Sequence, residues 1–104
     1  MEEVVYYTVL FDLYGKLLTE QQQRYFQDYY FLNLSLAEIA QQANVSRNAV
    51  HKQIKMAVSK LEHYEAILHV ARKSKKLEQL LQQIDDDVIK EKIQKILDEE
   101  IGEE

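Results

Sequence analysis

Apolar residues recur three or four positions apart along almost the whole chain, which is the spacing of one face of an α-helix. The pattern is sharpest between residues 35 and 60, where a short polar break separates two periodic stretches. The apolar positions of the shorter stretch are Leu36, Ile39, Ala40 and Ala43. Those of the longer stretch are Val50, Ile54, Ala57 and Leu61. This pattern predicts two helices joined by a tight turn.

The residues around these stretches are suited to the ends of helices. Ser35 and Glu38 have the spacing of a capping box, in which each side chain accepts a hydrogen bond from the other residue's backbone N–H. Asn44 stands at the break, where the bend needs a residue that tolerates the left-handed conformation. Ser46 is suited to cap the second helix. The sequence therefore predicts a short helix after Ser35, a bend at Asn44 and a second helix after Ser46.

The second of these helices has a polar and basic face opposite its apolar stripe. At about 100° per residue, that face contains Asn48, His51, Lys52, Lys55 and Ser59. A short helix, a tight turn and a helix with such a face are typical of a helix-turn-helix, whose second helix enters the major groove of DNA. Arg47, in the first turn, is suited to a guanine edge, Asn48 to an adenine edge, and the lysines to phosphates. The predicted nucleic-acid contacts are Arg47, Asn48, His51, Lys52 and Lys55.

Two further helices are predicted before this motif. The first spans about Val4 to Tyr14 and ends at Gly15, and the second is capped by Thr19 with Gln22 and runs to about Phe31. The expected buried side of the first helix comprises Tyr6, Leu10, Leu13, Tyr14 and Leu17. The many tyrosines here allow two interpretations, base stacking on single-stranded nucleic acid or an amphipathic core, and the helical spacing favours the core.

The apolar stripe continues past Lys60 without a stop signal, so we expect one long helix that reaches the basic cluster Arg72–Lys76. A second apolar stretch, from Leu77 to Ile101, is divided by Asp85–Asp87, which we interpret as a helix cap rather than a metal site. We therefore predict a helix-turn-helix domain over residues 1–68 and a helical extension over residues 69–104. The extension would pack on the chain itself or form a homodimer.

The basic cluster itself has two interpretations. Its four basic residues could contact phosphate, or they could be a solvated helix end whose charge suits the C-terminal dipole. The residues concerned are Arg72, Lys73, Lys75 and Lys76.

The composition limits the fold classes and the functions that are expected for this chain. The 104 residues include no proline, two glycines and 30% charged residues, which favours an all-α fold. No cysteine is present, the three histidines include no pair four residues apart, and no Gly-rich loop could hold a phosphate. We therefore expect no enzyme activity, no metal and no cofactor.

No apolar run reaches the roughly 18 residues of a membrane span, and the acidic first residues are unlike a secretion signal, so the cytoplasm is the expected compartment.

The charge distribution supports a nucleic-acid contact although the net charge is −5. Residues 39–76 contain eight Lys or Arg and two acids, whereas the rest of the chain contains five basic and sixteen acidic residues. The predicted helix-turn-helix therefore carries a local positive field.

The motif resembles a known one. Residues 34–40, LSLAEIA, and 45–50, VSRNAV, are similar to the helix-turn-helix of sigma-70 region 4. Residues 18–22, LTEQQ, and 61–65, LEHYE, narrow the resemblance to the YlxM-type family of small bacterial proteins. The chain departs from that family's pattern at His51 and Lys52, where members tend to carry an aromatic and an acidic residue, and this departure makes the outer face more basic.

The resemblance implies a function that the residues alone do not show. YlxM-type proteins are linked by gene neighbourhood to the signal recognition particle, the ribonucleoprotein that targets nascent proteins to membranes. Two hypotheses follow. The chain is a regulatory protein that binds double-stranded DNA and is linked to the signal recognition particle pathway, or it is an adaptor that docks on the signal recognition particle GTPase or its RNA without binding DNA.

Overall fold

The computed structural model describes residues 2–99, and within that range the chain is all-α, as predicted. Six α-helices follow one another: α1 Glu2–Tyr14, α2 Glu20–Tyr30, α3 Leu36–Ala43, α4 Arg47–Leu68, α5 Val70–Leu81 and α6 Asp87–Leu97. None of the described helices is both long and apolar enough to cross a bilayer. Ile101, which the sequence analysis placed on the last apolar stripe, lies outside the described residues.

Two of the predicted core positions are exposed, one in α1 and one in the turn between α1 and α2. Gly15 begins a one-turn 3₁₀ helix, and a Cβ on this residue would lie 3.1 Å from the Phe11 ring. The tighter winding of the 3₁₀ turn points Leu17 outward, 52% exposed, and leaves Leu18 buried in its place. Tyr6 is also exposed, at 44%, so the expectation that Tyr6 and Leu17 are buried was wrong.

Helix α4 joins two clusters of buried side chains. The first consists of Leu10, Tyr14, Leu18, Phe26, Ala57 and Leu61, contributed by α1, its following turn, α2 and α4. The second consists of Tyr25, Ile39, Ala40, Val50 and Ile54, contributed by α2, α3 and α4. All four residues of the predicted α4 stripe are therefore buried. One continuous helix holds the helix-turn-helix against the N-terminal helices.

Aromatic packing between α1 and α2 fills much of the first cluster. The rings of Phe11 and Phe26 are stacked with their centroids 4.5 Å apart, and the ring of Tyr30 lies 4.6 Å from that of Phe26. Phe31 closes the group through edge contacts with Phe11 and Phe26, at 5.5 and 5.9 Å. Phe26 is buried in the core and Phe11 and Tyr30 pack against it, as the helical spacing predicted for the aromatic residues of α2, whereas Phe31 lies at the rim and is 45% exposed.

The expectation of one helix running from the recognition motif into the basic cluster was wrong. Helix α4 ends at Leu68, His69 adopts the left-handed conformation with φ 56° and ψ 29°, and α5 begins at Val70. No proline or glycine marks this break in the sequence. Its cause is a long-range contact that the spacing of apolar residues cannot show.

That contact is made by Glu65, a buried carboxylate in the last turn of α4. One carboxylate oxygen accepts hydrogen bonds from the Tyr14 hydroxyl at 2.7 Å and the Ala71 N–H at 2.9 Å, and the other accepts from the Arg72 N–H at 3.1 Å. The Val70 N–H donates to the Tyr14 hydroxyl oxygen at 3.2 Å. The two side chains thus satisfy backbone donors at the start of α5 that no helical carbonyl can reach.

Glu65, Tyr14 and the first residues of α5 form the joint between α4 and α5. The pKa values of Glu65 and Tyr14 reflect the burial of these side chains and their hydrogen bonds. Burial raises the pKa of the Glu65 carboxyl, but the three hydrogen bonds that it accepts outweigh burial, so that the net pKa lies below its usual value. Burial and the hydrogen bond to Glu65 raise the pKa of Tyr14 to about 12. At neutral pH the joint therefore contains a carboxylate and a neutral phenol.

Beyond the joint, α5 and α6 are connected by residues 82–86 and pack on each other as a hairpin. The molecule as a whole measures 54 Å by 23 Å by 23 Å. Asp86 caps α6 by accepting from the Val88 and Ile89 N–H groups at 2.9 and 3.2 Å, as the sequence predicted. Leu81 is the only buried residue that the described part of the hairpin contains.

Candidate nucleic-acid interface

The bend between α3 and α4 has the geometry that the sequence predicted. Asn44 is left-handed, with φ 57° and ψ 46°, and the Val45 N–H donates to the Ala40 carbonyl at 3.1 Å. Ser35 and Glu38 form the capping box before α3, and Ser46 Oγ accepts from the Ala49 N–H at 3.0 Å at the start of α4. The three residues 44–46 therefore turn the chain between α3 and α4, with the Val45 and Ala49 N–H groups hydrogen-bonded.

All the predicted contact residues of α4 are exposed on the side away from the core. The exposed residues are Arg47, Asn48, His51, Lys52 and Lys55. The stripe on the opposite side, by contrast, is buried, and Val50 has no exposed surface at all. The geometry therefore presents these side chains together on the first three turns of the helix.

A shallow open depression runs along this face, and it contains a residue that the sequence analysis did not single out. Met56 lies in the depression beside Lys52 and Lys55 and is 41% exposed. Its place on the helix, four residues after Lys52, could have shown this. An exposed thioether there gives the face an apolar position among the charges, suited to a contact with a thymine methyl group.

The buried side chain of Gln22, in α2, makes hydrogen bonds to α4. The spacing of Thr19 and Gln22 predicts that Gln22 belongs to the cap of α2, and its side chain does accept a hydrogen bond from the Thr19 N–H at 3.2 Å. The same buried amide donates to Gln53 Oε1 and accepts from Lys60 Nζ, both at 3.3 Å. These bonds fix α4 against the start of α2, and no sequence pattern could reveal them, because they join residues 31 and 38 positions apart.

The charge along α4 is distributed unevenly. Residues 47–60 carry four basic side chains and no acidic one, whereas Glu62 and Glu65 follow directly. Glu62 and Lys55, seven residues apart on one side of α4, both line a second depression. The positive surface is therefore confined to the N-terminal two-thirds of α4, the part next to the bend.

The second basic cluster does not adjoin a helix C-terminus. Residues 72–76 lie before the last turn of α5, which contains no basic residue, so the interpretation based on the C-terminal dipole was wrong. Arg72 and Lys75 line a groove between α5 and α1, whereas Lys73 and Lys76 share a helix face with Leu77 and Leu80. A contact of Arg72, Lys73, Lys75 and Lys76 with phosphate stays a prediction.

Comparison with known proteins identifies the group to which this fold belongs. A family model described as "Putative helix-turn-helix protein, YlxM / p13 like" matches residues 1–100. The chain belongs to this family, UPF0122. A UPF0122 protein of Halalkalibacterium halodurans is 44% identical over 82 residues, which cover 79% of this chain and 75% of that protein.

Other UPF0122 proteins match most of this chain's length. The UPF0122 protein of Fusobacterium nucleatum is 36% identical over 98 residues, 94% of this chain and 95% of its own. That of Geobacillus sp. WCH70 is 42% identical over 89 residues, 86% of this chain and 81% of its own. The family resemblance stated from residues 18–65 is thus confirmed, and it extends through α5 and α6.

Proposed function

We propose that this UPF0122 protein is a non-catalytic regulatory protein of the cytoplasm that binds double-stranded DNA through the outward face of α4. One observation carries the proposal: a helix fixed by a tight bend presents exposed basic and amide side chains, without an acid, over residues 47–60. Such a helix fits the major groove, where Arg and Asn side chains can read base edges.

The roles of the individual residues follow from their positions on α4. Arg47 and Asn48 lie in the first turn, nearest to the bases, and are assigned to guanine and adenine edges. Lys52 and Lys55 lie one and two turns further on and are assigned to phosphates, and His51 directly precedes Lys52. Because one such module neutralises only about three or four phosphates, the logarithm of affinity should fall with the logarithm of salt concentration with a slope of roughly −3 to −4.

Fluorescence anisotropy with a labelled duplex at increasing salt measures this slope. The double variant Arg47→Ala, Lys52→Ala should bind at least about tenfold more weakly and show a slope smaller in magnitude by about one, since one phosphate contact and one base contact are lost. Lys92→Ala, Lys95→Ala is a matched control, because it removes the same charge from exposed positions of α6. Equal loss in both double variants would contradict the assignment to α4.

A parallel titration distinguishes the proposed DNA binding from the adaptor function that the family resemblance implies. The same protein is titrated with the RNA of the signal recognition particle and tested for retention by that particle's GTPase. Binding to duplex DNA with the expected salt slope supports the proposal. Tight binding to the RNA or the GTPase, without any binding to duplex DNA at micromolar concentration, would replace it with the adaptor function.

A further inference from the structure

An open cleft between α1, the end of α2 and the start of α3 is lined by three tyrosines. These are Tyr7 of α1 and the adjacent Tyr29 and Tyr30 of α2, and we refer to this opening as the tyrosine cleft. Its volume of about 600 Å³ is within the range of pockets that hold a ligand group. Among the residues that the structure describes, none of those lining the cleft belongs to α4, the helix that carries the proposed DNA contacts.

The three tyrosine rings meet at steep angles. The ring centroid of Tyr30 lies 6.0 Å from that of Tyr7 and 5.0 Å from that of Tyr29, with angles of 67° and 88° between the ring planes. Rings at such angles touch edge to face and do not stack, so aromatic faces stay available to another group. Rings that face in different directions around one opening are typical of the cages that bind an organic cation.

The charge around the tyrosine cleft is negative. Glu3 and Glu38 both line it and are exposed, and no basic residue lines it within the described part of the chain. Burial, and after it the charges of Glu62 and Glu3, raise the pKa of the Tyr7 hydroxyl, so negative charge acts on this ring. Glu38 accepts a hydrogen bond from the Ser35 N–H at 3.1 Å, which lowers the pKa of its carboxyl. At neutral pH the cleft therefore attracts a cation.

On the side of α4, the tyrosines border the second depression, which has a different charge. His51 and Lys55 line that depression together with Glu3 and Glu62. The basic residues nearest to the tyrosines thus lie on the α4 side and share it with acids. A bound cation is therefore placed on the other side of the rings, between α1 and α3 and away from Lys55.

We propose that the tyrosine cleft binds an arginine side chain in an exposed basic segment of a partner protein. The planar guanidinium can lie against a tyrosine face while its N–H groups donate to the carboxylates of Glu3 and Glu38. The arginine methylene groups can pack on Leu34, a half-buried residue that also lines the cleft.

This site goes beyond the proposed contact with DNA and does not depend on it. The carboxylates of Glu3 and Glu38 repel phosphate, so the cleft is not a continuation of the basic face of α4. Loss of the arginine site leaves the DNA contacts in place, and the two activities can be measured separately.

Fluorescence anisotropy with a labelled Gly- and Ser-rich peptide that carries arginine tests the charge requirement. A second peptide has citrulline in place of each arginine, which keeps the shape and removes the charge. The full chain should bind the arginine peptide at least about fivefold more tightly than the citrulline peptide. Equal binding of the two peptides, or no binding of the arginine peptide at millimolar protein, would overturn the proposal.

Replacement of Tyr29 by leucine tests the aromatic contact. Tyr29 is 37% exposed, so this variant should keep the helical content of the wild type while it binds the arginine peptide about two- to fivefold more weakly. Tyr6→Leu is the matched control, because Tyr6 is 44% exposed but lines the groove between α1 and α5. Equal affinities of the two variants would contradict the assignment to the tyrosine cleft.

The double variant Glu3→Gln, Glu38→Gln tests the carboxylates. Glutamine keeps the capping box of α3, so the variant should fold and bind the arginine peptide about threefold or more weakly than the wild type. Glu78→Gln, Glu91→Gln removes the same charge from exposed positions of α5 and α6, and it should change the affinity far less. An equal loss in both double variants would mean that the peptide responds to net charge and not to this cleft.

A titration with single-stranded oligonucleotide tests base stacking as the competing use of the tyrosines. The proposal predicts that neither Tyr29→Leu nor Glu3→Gln, Glu38→Gln changes oligonucleotide binding. Binding that is weakened by Tyr29→Leu and strengthened by Glu3→Gln, Glu38→Gln would assign the cleft to nucleic-acid bases and overturn the proposal.

Discussion

Replacement of Phe26 by alanine should lower the free energy of unfolding by about 3–5 kcal/mol, the largest loss that we expect from a single truncation in this protein. Phe26 has no exposed surface and its ring is stacked on that of Phe11. It also belongs to the cluster that includes Ala57 and Leu61 of α4. The cavity would therefore loosen the contact between the N-terminal helices and the helix that carries the nucleic-acid face. Urea denaturation followed by circular dichroism measures the loss.

Phe31→Ala is the matched control for this prediction. Phe31 contacts the same aromatic group, but it is 45% exposed and meets Phe11 and Phe26 only through ring edges. Its loss should cost about 1 kcal/mol, because little apolar area is uncovered and no closed cavity remains. Equal losses in the two variants would contradict the packing described for the first cluster.

Replacement of Glu65 by alanine should destabilise the protein by about 2–4 kcal/mol, because it leaves the Tyr14 hydroxyl and two backbone donors of α5 without their charged acceptor. A loss of this size corresponds to a fall in Tm of roughly 10–25 °C for a domain of this length. Glu62→Ala, which removes an exposed carboxylate three residues earlier, should change the Tm by only a few degrees at most. An equal fall in both variants would refute the capping role of Glu65.

The pH dependence of stability distinguishes the contribution of the Glu65 charge from that of its side-chain volume. Because the pKa of Glu65 is lower in the folded protein than its ordinary value of 4.5, its contribution is complete above that pH and is lost as pH falls through the folded pKa. The stability difference between wild type and Glu65→Gln should therefore be largest near neutral pH and shrink below about pH 4.5. A difference that stays constant down to pH 2 would show that the charge contributes nothing.

The positions of the helix-turn-helix could be predicted from the sequence because its signals are local. Helix caps such as Ser35 and Ser46 depend on hydrogen bonds that span three residues, and the left-handed conformation of Asn44 depends on the residue type. The division of α4 into a buried and an exposed side follows from its period alone. The exposed face was therefore predicted, with the exception of Met56.

The features that were missed depend on contacts between distant parts of the chain. The break at His69 is made by a carboxylate and a phenol 51 residues apart, in a sequence whose apolar period simply continues. The second role of Gln22 depends on Gln53 and Lys60, which approach it only when α2 packs on α4. Both examples show that polar residues inside a helical core cannot be paired from the spacing of residues along one helix.

NMR titration of the full chain with duplex DNA tests most directly whether the outward face of α4 is the surface that contacts nucleic acid. At low salt, we expect amide shifts to change from the bend at Asn44 through Met56, with the side-chain signals of Arg47 and Asn48 among those most affected. Residues of α6 should be unchanged by the duplex. Shift changes confined to the groove between α1 and α5, with α4 unaffected by saturating DNA, would contradict the account.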